Sequence, residues 1–361
     1  MAKKFPCLEI NLEAIYNNAK VIVEIAKNFG IKISAVTKVS LGDPKIAEIL
    51  LKAGVCCLAD SRVESIKKMK KNKIETEFLL IRSPSFSQIK DTLLWSDISL
   101  NSELIVLERL EEYARKIKKK HKVILMVEMG DLREGIWDKK ELYETIKRVN
   151  NMSYIELVGI GTNFTCFGGI IPTESKIEEF NELVSQIEKD FAINLPIISG
   201  GNSSSIPLLF EGKLKGKINH LRIGEAIMLG RDTVYRKPIP NGRTDTFIIY
   251  AEIIELKEKP SLPWGLIGED AFGHKPTFID KGIRKRAILN IGRQDIDPKG
   301  LIPSIDGVEI LGATSDHLIL DITERDDLKV GDVIGFYPNY SSLLLAFTSP
   351  FVKKIYKGLI V

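Results

Sequence analysis

Short apolar runs recur along residues 31–230 and alternate with segments whose apolar positions repeat every three or four residues. Bounded apolar runs of this length predict buried strands, and the three-and-four spacing predicts amphipathic helices. The runs predict strands at 33–37, 55–59, 78–81, 98–100, 123–128, 157–161, 196–199 and 220–223, with helices at 44–53, 62–70, 102–120, 139–150 and 174–190 between them. A further helix, 12–28, precedes the first of these strands. Strands that alternate with helices around one repeat predict an α/β fold, a parallel (β/α)8 TIM barrel more than an open sheet. After Arg231 the texture changes. Pro238, Pro240, Asn241 and Gly242 form a turn-rich hinge, and short alternating strands follow at 247–256, 286–291, 308–311, 318–322 and 332–336. That half reads as a smaller all-β C-terminal domain. The expected division is a barrel over 1–235 and a β domain over 236–361.

The chain is 361 residues long, which exceeds one ordinary core and suits a barrel with a second domain. It is 44% hydrophobic and 28% charged, the balance of a soluble globular protein. Net charge is only +4, with lysines and glutamates interleaved, which argues against a nucleic-acid or membrane-surface partner. The basic run from Arg115 to Lys122 ends a predicted helix, where cations favour the helix dipole. The cysteines Cys7, Cys56, Cys57 and Cys166 lack metal-ligand spacing. Cys56 and Cys57 are expected to be reduced core residues, on opposite faces of one strand, in a cytoplasmic protein. The N-terminus lacks the apolar run of a secretory leader, and no apolar stretch of about 18 residues occurs to span a membrane.

Candidate chemistry lies where the predicted strands end, because barrels place their sites at the carboxyl ends of the strands. Val36-Thr37-Lys38-Val39 puts a lysine at the end of the first strand. An amine there is removed from bulk water and is a usable nucleophile toward an aldehyde. A solvated lysine capping a strand is the alternative. The seventh and eighth ends, Ser199-Gly200-Gly201-Asn202-Ser203 and Arg222-Ile223-Gly224-Glu225, combine small residues with helix starts. Such loops let backbone N–H groups approach a phosphate, although ordinary turns have the same composition. Arg222 ends a strand among apolar neighbours, so its guanidinium needs an acceptor, supplied by a site or by a structural salt bridge.

These motifs together resemble the fold-type III pyridoxal-phosphate racemases related to alanine racemase, and more specifically their ornithine racemase-like branch. The resemblance covers nearly the whole chain. The segment from Leu8 to Asn18 is similar to the family's first strand and helix, and Val36-Thr37-Lys38 to its cofactor-lysine motif. Arg133 with Gly135, Asn202-Ser203 and Arg222-Ile223-Gly224 are similar to its site motifs, as are Gly292 with Asp295, Ser315-Asp316 and Tyr340 in the β domain.

The resemblance implies an amino-acid racemase that binds pyridoxal 5'-phosphate through an imine on Lys38 and moves the Cα proton with two bases. Ornithine is the first substrate expectation, then alanine, lysine or serine. Arg222 is implied to donate to the pyridine nitrogen, which it cannot protonate. Asn163 stands where the alanine racemase pattern has a histidine against the ring. Arg133 is implied to lie near the cofactor's phenolic oxygen and the substrate carboxylate. Asn202, Ser203, Gly224, Glu225 and Tyr340 are implied phosphate contacts. Ser315 and Asp316 are implied to complete the substrate site. The family's tyrosine after the glycine matched by Gly292 is absent, because Arg293-Gln294-Asp295 stands there. Asp295 is the first candidate for the missing base, with His274 and Asp270 as others; Asp295 is also a natural turn residue. In the loop 263–273, Glu269 or Asp270 is a candidate partner for a distal substrate ammonium, and an ordinary solvated loop is the alternative. A head-to-tail homodimer is implied, each β domain closing the partner's barrel. Two competing readings are a decarboxylase of the same fold type, whose β-domain motifs are missing, and a non-catalytic pyridoxal-phosphate carrier, which is a barrel alone.

Overall fold

The computed structural model describes residues 4–358. It divides into two compact units, one running from Leu12 to Thr244 and the other joining the N-terminal strand Cys7–Asn11 to the chain from Asp245 onward. In the first unit the strands Lys32–Val36, Cys57–Asp60, Phe78–Leu80, Ile98–Asn101, His121–Met126, Ile155–Gly161, Ile197–Ser199 and His220–Ile223 pair in parallel, each with the next. The last returns to the first, with Ile33 opposite Leu221 and Ser34 opposite Arg222, and the barrel closes.

Helices connect these strands. Pro44–Lys52 starts where Asp43 caps two backbone N–H groups, and Lys139–Asn150 and Glu174–Phe191 are capped by Asp138 and Thr173. Ile89–Trp95 fills the connection for which the periodicity predicts no helix; at one short helical repeat it is too brief to declare a period. The interior is apolar through much of its length, with Val36, Cys57, Ala59, Leu79, Leu100, Ile124 and Met126 packed together. Burial of that stripe is what stabilises the barrel.

The cysteine expectation needs correction. The strand begins at Cys57, so Cys56 lies before it and is exposed, while Cys57 is buried. Both sulfurs approach the Ser34 hydroxyl, at 3.7 and 2.8 Å, so the alternation of a regular strand does not apply to the pair.

The second unit is a mainly antiparallel sheet built on the long strand Phe247–Pro260, with Ile283–Leu289, Leu301–Pro303, Glu309–Ala313, Leu318–Asp321 and Val333–Pro338. Cys7–Asn11 pairs antiparallel with that long strand and parallel with Lys353–Lys357. The N-terminal strand therefore belongs to the β sheet and not to the barrel. The barrel unit also extends past residue 235. Asn17 donates to the Asn241 carbonyl at 2.9 Å, and Asn18 exchanges hydrogen bonds with Arg243, which ties the turn-rich segment to the helix Leu12–Lys27. One helix, Tyr340–Thr348, interrupts the otherwise β unit and is capped by Asn339.

Candidate functional site at the carboxyl end of the barrel

Lys38 follows the first barrel strand and opens the single turn Lys38–Ser40, which Leu41 ends in the left-handed region. It is half-buried. The preceding residue, Thr37, is buried and donates to the Asp60 carboxylate at 2.7 Å, which also accepts from the Arg62 N–H at 2.9 Å. Burial pushes the Asp60 carboxyl above its ordinary pKa, and the Lys38 charge works against that rise. Burial likewise raises Glu225, opposed by Arg236 and then by Lys38. The Lys38 amine thus stands within electrostatic reach of Asp60, which ends the next barrel strand, and of Glu225, which opens the helix after the last one.

Arg222 lies inside the barrel and is 3% exposed. Alternation along the strand His220–Ile223 sends His220 and Arg222 to the same face. The guanidinium donates to the Thr162 carbonyl and to the Asn163 amide oxygen, each at 2.7 Å, and to the Ser199 hydroxyl. All three acceptors are neutral, so the salt-bridge alternative does not describe what holds it. Burial without a contacting carboxylate pulls its pKa down to about 10.

Asn163 passes the contact outward, donating to Glu134 at 2.5 Å. Glu134 also accepts from Arg133 at 2.6 Å, and burial raises its pKa despite both arginines. Neighbouring Asp131 is buried and accepts from the N–H groups of Cys166 and Phe167 at 2.9 and 3.1 Å, joining the loop after the sixth strand to the loop after the fifth.

The seventh and eighth strand ends meet through Ser203, whose hydroxyl accepts from the N–H groups of Gly224 and Ala226, both at 3.2 Å. Asn202 caps the turn by accepting from Ser204 N–H at 2.8 Å and anchors it by donating to the Phe164 carbonyl at 2.9 Å. Gly201 has φ +115, and a Cβ there would stand 2.6 Å from the Ser205 hydroxyl, so only glycine fits the bend. The Glu225 side chain is paired with Arg236.

Within the β unit, the segments matched by motif lie side by side. Arg293 N–H donates to the Thr314 carbonyl and Gln294 N–H to the Ser315 carbonyl, both at 2.9 Å. Gly292 passes so close that a Cβ would meet Asp316 N at 2.3 Å. Ser315 and Asp316 are exposed beside this crossing, and Tyr340 is half-buried at the start of its helix. Arg293 lies over the Phe272 ring at 4.4 Å, which brings the loop of Asp270 and His274 alongside. Asp270 is exposed, accepts from the Phe272 and His274 N–H groups, and is held below the ordinary carboxylate range chiefly by those bonds.

Asp295 must be reassigned. It is 3% exposed, accepts from the Ser349 hydroxyl at 2.6 Å and faces its own Gly292 N–H, so its carboxylate closes a turn. Asp60, Glu134 and His220 lie outside the candidate residues, and Ser199 opens the seventh strand-end segment without an assigned role. Glu134 adjoins the candidate Arg133, and the strand sequence His220-Leu221-Arg222 carried a signal in its alternation.

The family described as alanine racemase, N-terminal domain, matches residues 10–232. The lysine racemase of Thermotoga maritima is 47% identical over 98% of this chain and 99% of its own length. The ornithine racemase of Acetoanaerobium sticklandii is 43% identical over 97% and 99%. The solved alanine racemase of Bacillus anthracis superposes with a TM-score of 0.76 over 99% of this chain and 96% of that one, at 18% identity, which bears on the fold.

Proposed function

We propose that this chain, which belongs to the alanine racemase family, is a pyridoxal-phosphate-dependent racemase that interconverts the L and D forms of ornithine and lysine. The observation that carries this reading is the buried Arg222, held by neutral acceptors beside a strand-end lysine and two small-residue loops. The full-length similarity to a lysine and an ornithine racemase supports the basic substrate. It also runs through the β unit, which a carrier made of a barrel alone would lack.

The residues present fit the cofactor. The buried guanidinium has hydrogen-bonding capacity beyond its three acceptors, as a ring nitrogen would require. The bend at Gly201 has no room for a side chain, so Asn202, Ser203, Gly224 and the Glu225 backbone would serve as an anion cradle, and Tyr340 is a candidate further hydroxyl. Bound pyridoxal phosphate supplies an electron sink for the Cα of an amino acid. Lys38 would hold the cofactor, then accept and return the Cα proton on one face. Arg222 would hydrogen-bond the ring nitrogen without surrendering a proton, which keeps the sink moderate and favours return of the proton to Cα. Asn163 would back the ring edge, and Arg133 would orient the substrate carboxylate. Ser315, Asp316 and Asp270 are our candidates for the substrate's polar groups, the two carboxylates for a distal ammonium. Inversion needs a proton from the opposite face; with Asp295 engaged in its turn, His274 and Asp270 remain the candidates.

A homodimer is part of the proposal. Leu132, Trp137 and Phe167 are large, apolar and exposed on the loops that carry Arg133 and follow Asn163, and a second copy would cover them. Four free cysteines accord with a reducing, cytoplasmic setting, and among the described residues no helix is long and apolar enough to cross a membrane.

The test is incubation of the purified protein, with pyridoxal phosphate, separately with L-ornithine, L-lysine, L-alanine and L-serine, followed by chiral chromatography. D-Ornithine and D-lysine should form at least about tenfold faster than D-alanine. Diamine in place of D-isomer would mean a decarboxylase, and no product from any substrate would sink the enzymatic reading.

A further inference from the structure

Behind Arg222 the barrel interior holds a line of polar groups that the reaction as described does not use. The Ser199 hydroxyl, which accepts from Arg222, lies 2.8 Å from His220 Nδ1. His220 Nε2 lies 2.5 Å from the Ser34 hydroxyl, and that hydroxyl lies 2.8 Å from Cys57 Sγ. Ser34, Ser199, His220 and Cys57 are all buried. Ser34 sits directly opposite Arg222 in the pairing that closes the barrel, so the register itself assembles the line.

The direction of every bond follows from one fixed end. A guanidinium only donates, so Ser199 must accept from Arg222. The Ser199 proton then has His220 Nδ1 as its hydrogen-bonding partner, and leaving it unpaired inside the barrel would be costly. His220 Nδ1 is therefore an acceptor, which puts the ring proton on Nε2 and makes Ser34 accept it. The Ser34 proton in turn points to the Cys57 sulfur. A doubly protonated His220 would reverse the first step, strand the Ser199 proton and place a second buried cation beside Arg222. Burial pulls the His220 pKa down in the same sense, opposed by Cys56, whose thiol faces the ring and lies 3.7 Å from the Ser34 hydroxyl.

We propose that Ser199, His220 and Ser34 form a one-directional hydrogen-bond chain, ending on Cys57, that fixes the plane of the Arg222 guanidinium for its contact with the cofactor. Ser199 and His220 are thus positioning residues. Neutral groups do this work, so the arginine keeps its full charge at the ring with no carboxylate in contact. A carboxylate in the place of Ser199 would orient the guanidinium equally well but would draw its charge away from the ring. The inference rests on the reading of the chain as a pyridoxal-phosphate racemase, but the tautomer it requires can be measured without any substrate.

Two measurements on the holoenzyme test it. In protein labelled with 15N-histidine, the chain's four histidines give four imidazoles, and His220→Gln assigns the signal of interest. A neutral ring protonated at Nε2 at pH 7.5 is expected, with its Nδ1 signal shifted in Ser199→Ala. An Nδ1-protonated ring or an imidazolium would overturn the chain. The second measurement compares Ser199→Ala, His220→Gln and the double variant by pyridoxal-phosphate affinity, visible absorption, kcat and KM. Each single variant should lower kcat about tenfold, shift the cofactor's absorption band and leave KM for L-ornithine nearly unchanged. The double variant should be no worse than the poorer single one, because both break the same line. Ser199→Thr keeps the hydroxyl and should restore kcat, which separates positioning from a fold defect. Multiplicative losses, or an unmoved absorption band, would overturn the inference. Failure of the unsubstituted protein to take up cofactor would instead overturn the functional reading beneath it, and the histidine signal would still report the chain.

Discussion

Replacing Arg222 by lysine keeps the charge and removes the fork. The guanidinium donates to three neutral acceptors, the Ser199 hydroxyl, the Thr162 carbonyl and the Asn163 amide oxygen, from a position that is almost fully buried. An ammonium is a point donor on a flexible stem and cannot serve acceptors spread around a plane. At least one charged hydrogen bond is lost, and two on the closest fit, each contributing roughly 1.5–3 kcal/mol. Part of this is recovered if water enters, so the expected loss is about 2–4 kcal/mol in the cofactor-free protein. Urea unfolding of the cofactor-free protein, followed by tryptophan fluorescence, measures it. If Arg222 serves the ring nitrogen as proposed, the same variant should weaken pyridoxal-phosphate binding and shift the visible band. A variant within about 0.5 kcal/mol of the parent, the range of an ordinary surface change, and with an unchanged visible band, would refute the account of what Arg222 does.

Gly201→Ala should fold with a loss of about 1–3 kcal/mol, since it forces a side chain into positive φ against the Ser205 hydroxyl, and should bind pyridoxal phosphate much more weakly by absorbance titration. Equal cofactor affinity would mean that this loop does not hold the phosphate. Acid should destabilise the barrel through His121, which is buried and whose pKa is pulled by burial to about 4. The unfolded chain takes up that proton near pH 6.5 and the folded chain only near 4, so stability is full above 6.5 and falls as pH drops between the two. The loss is roughly 3 kcal/mol over that window. Urea midpoints at pH 7 and 4.5 should fall less in His121→Gln than in the parent, and equal falls would refute the assignment.

The alternation of apolar runs and amphipathic segments made the barrel legible, because a parallel strand buried on both faces is a nearly continuous apolar run whatever its partners. The edges of that reading failed for physical reasons. Nothing local tells that Cys7–Asn11 pairs with Phe247–Pro260, a contact made across most of the chain. The boundary near residue 235 was drawn at the first proline-rich turn, but side chains of Asn17 and Asn18 hold that turn to the barrel. Cys56 and Cys57 were assigned opposite faces on the premise that both lie in one strand, which begins only at the second. At the candidate site, Lys38 and Arg222 stand out in the sequence because they are charged residues at the ends of apolar strands. Glu134 and Ser199 gain their importance only from what three-dimensional closure brings beside them. Asp295 shows the converse, a carboxylate in a matching motif whose oxygens are turned to Ser349 and a backbone N–H.

A bond between the Lys38 amine and the cofactor can be read by peptide mapping. The protein is incubated with pyridoxal phosphate, reduced with borohydride, digested and read by mass spectrometry, alongside Lys38→Ala. A single stoichiometric pyridoxyl-phosphate addition on Lys38 is expected, and none in the variant. A stoichiometric label on another lysine, or an unmodified Lys38 in saturating cofactor, would contradict it.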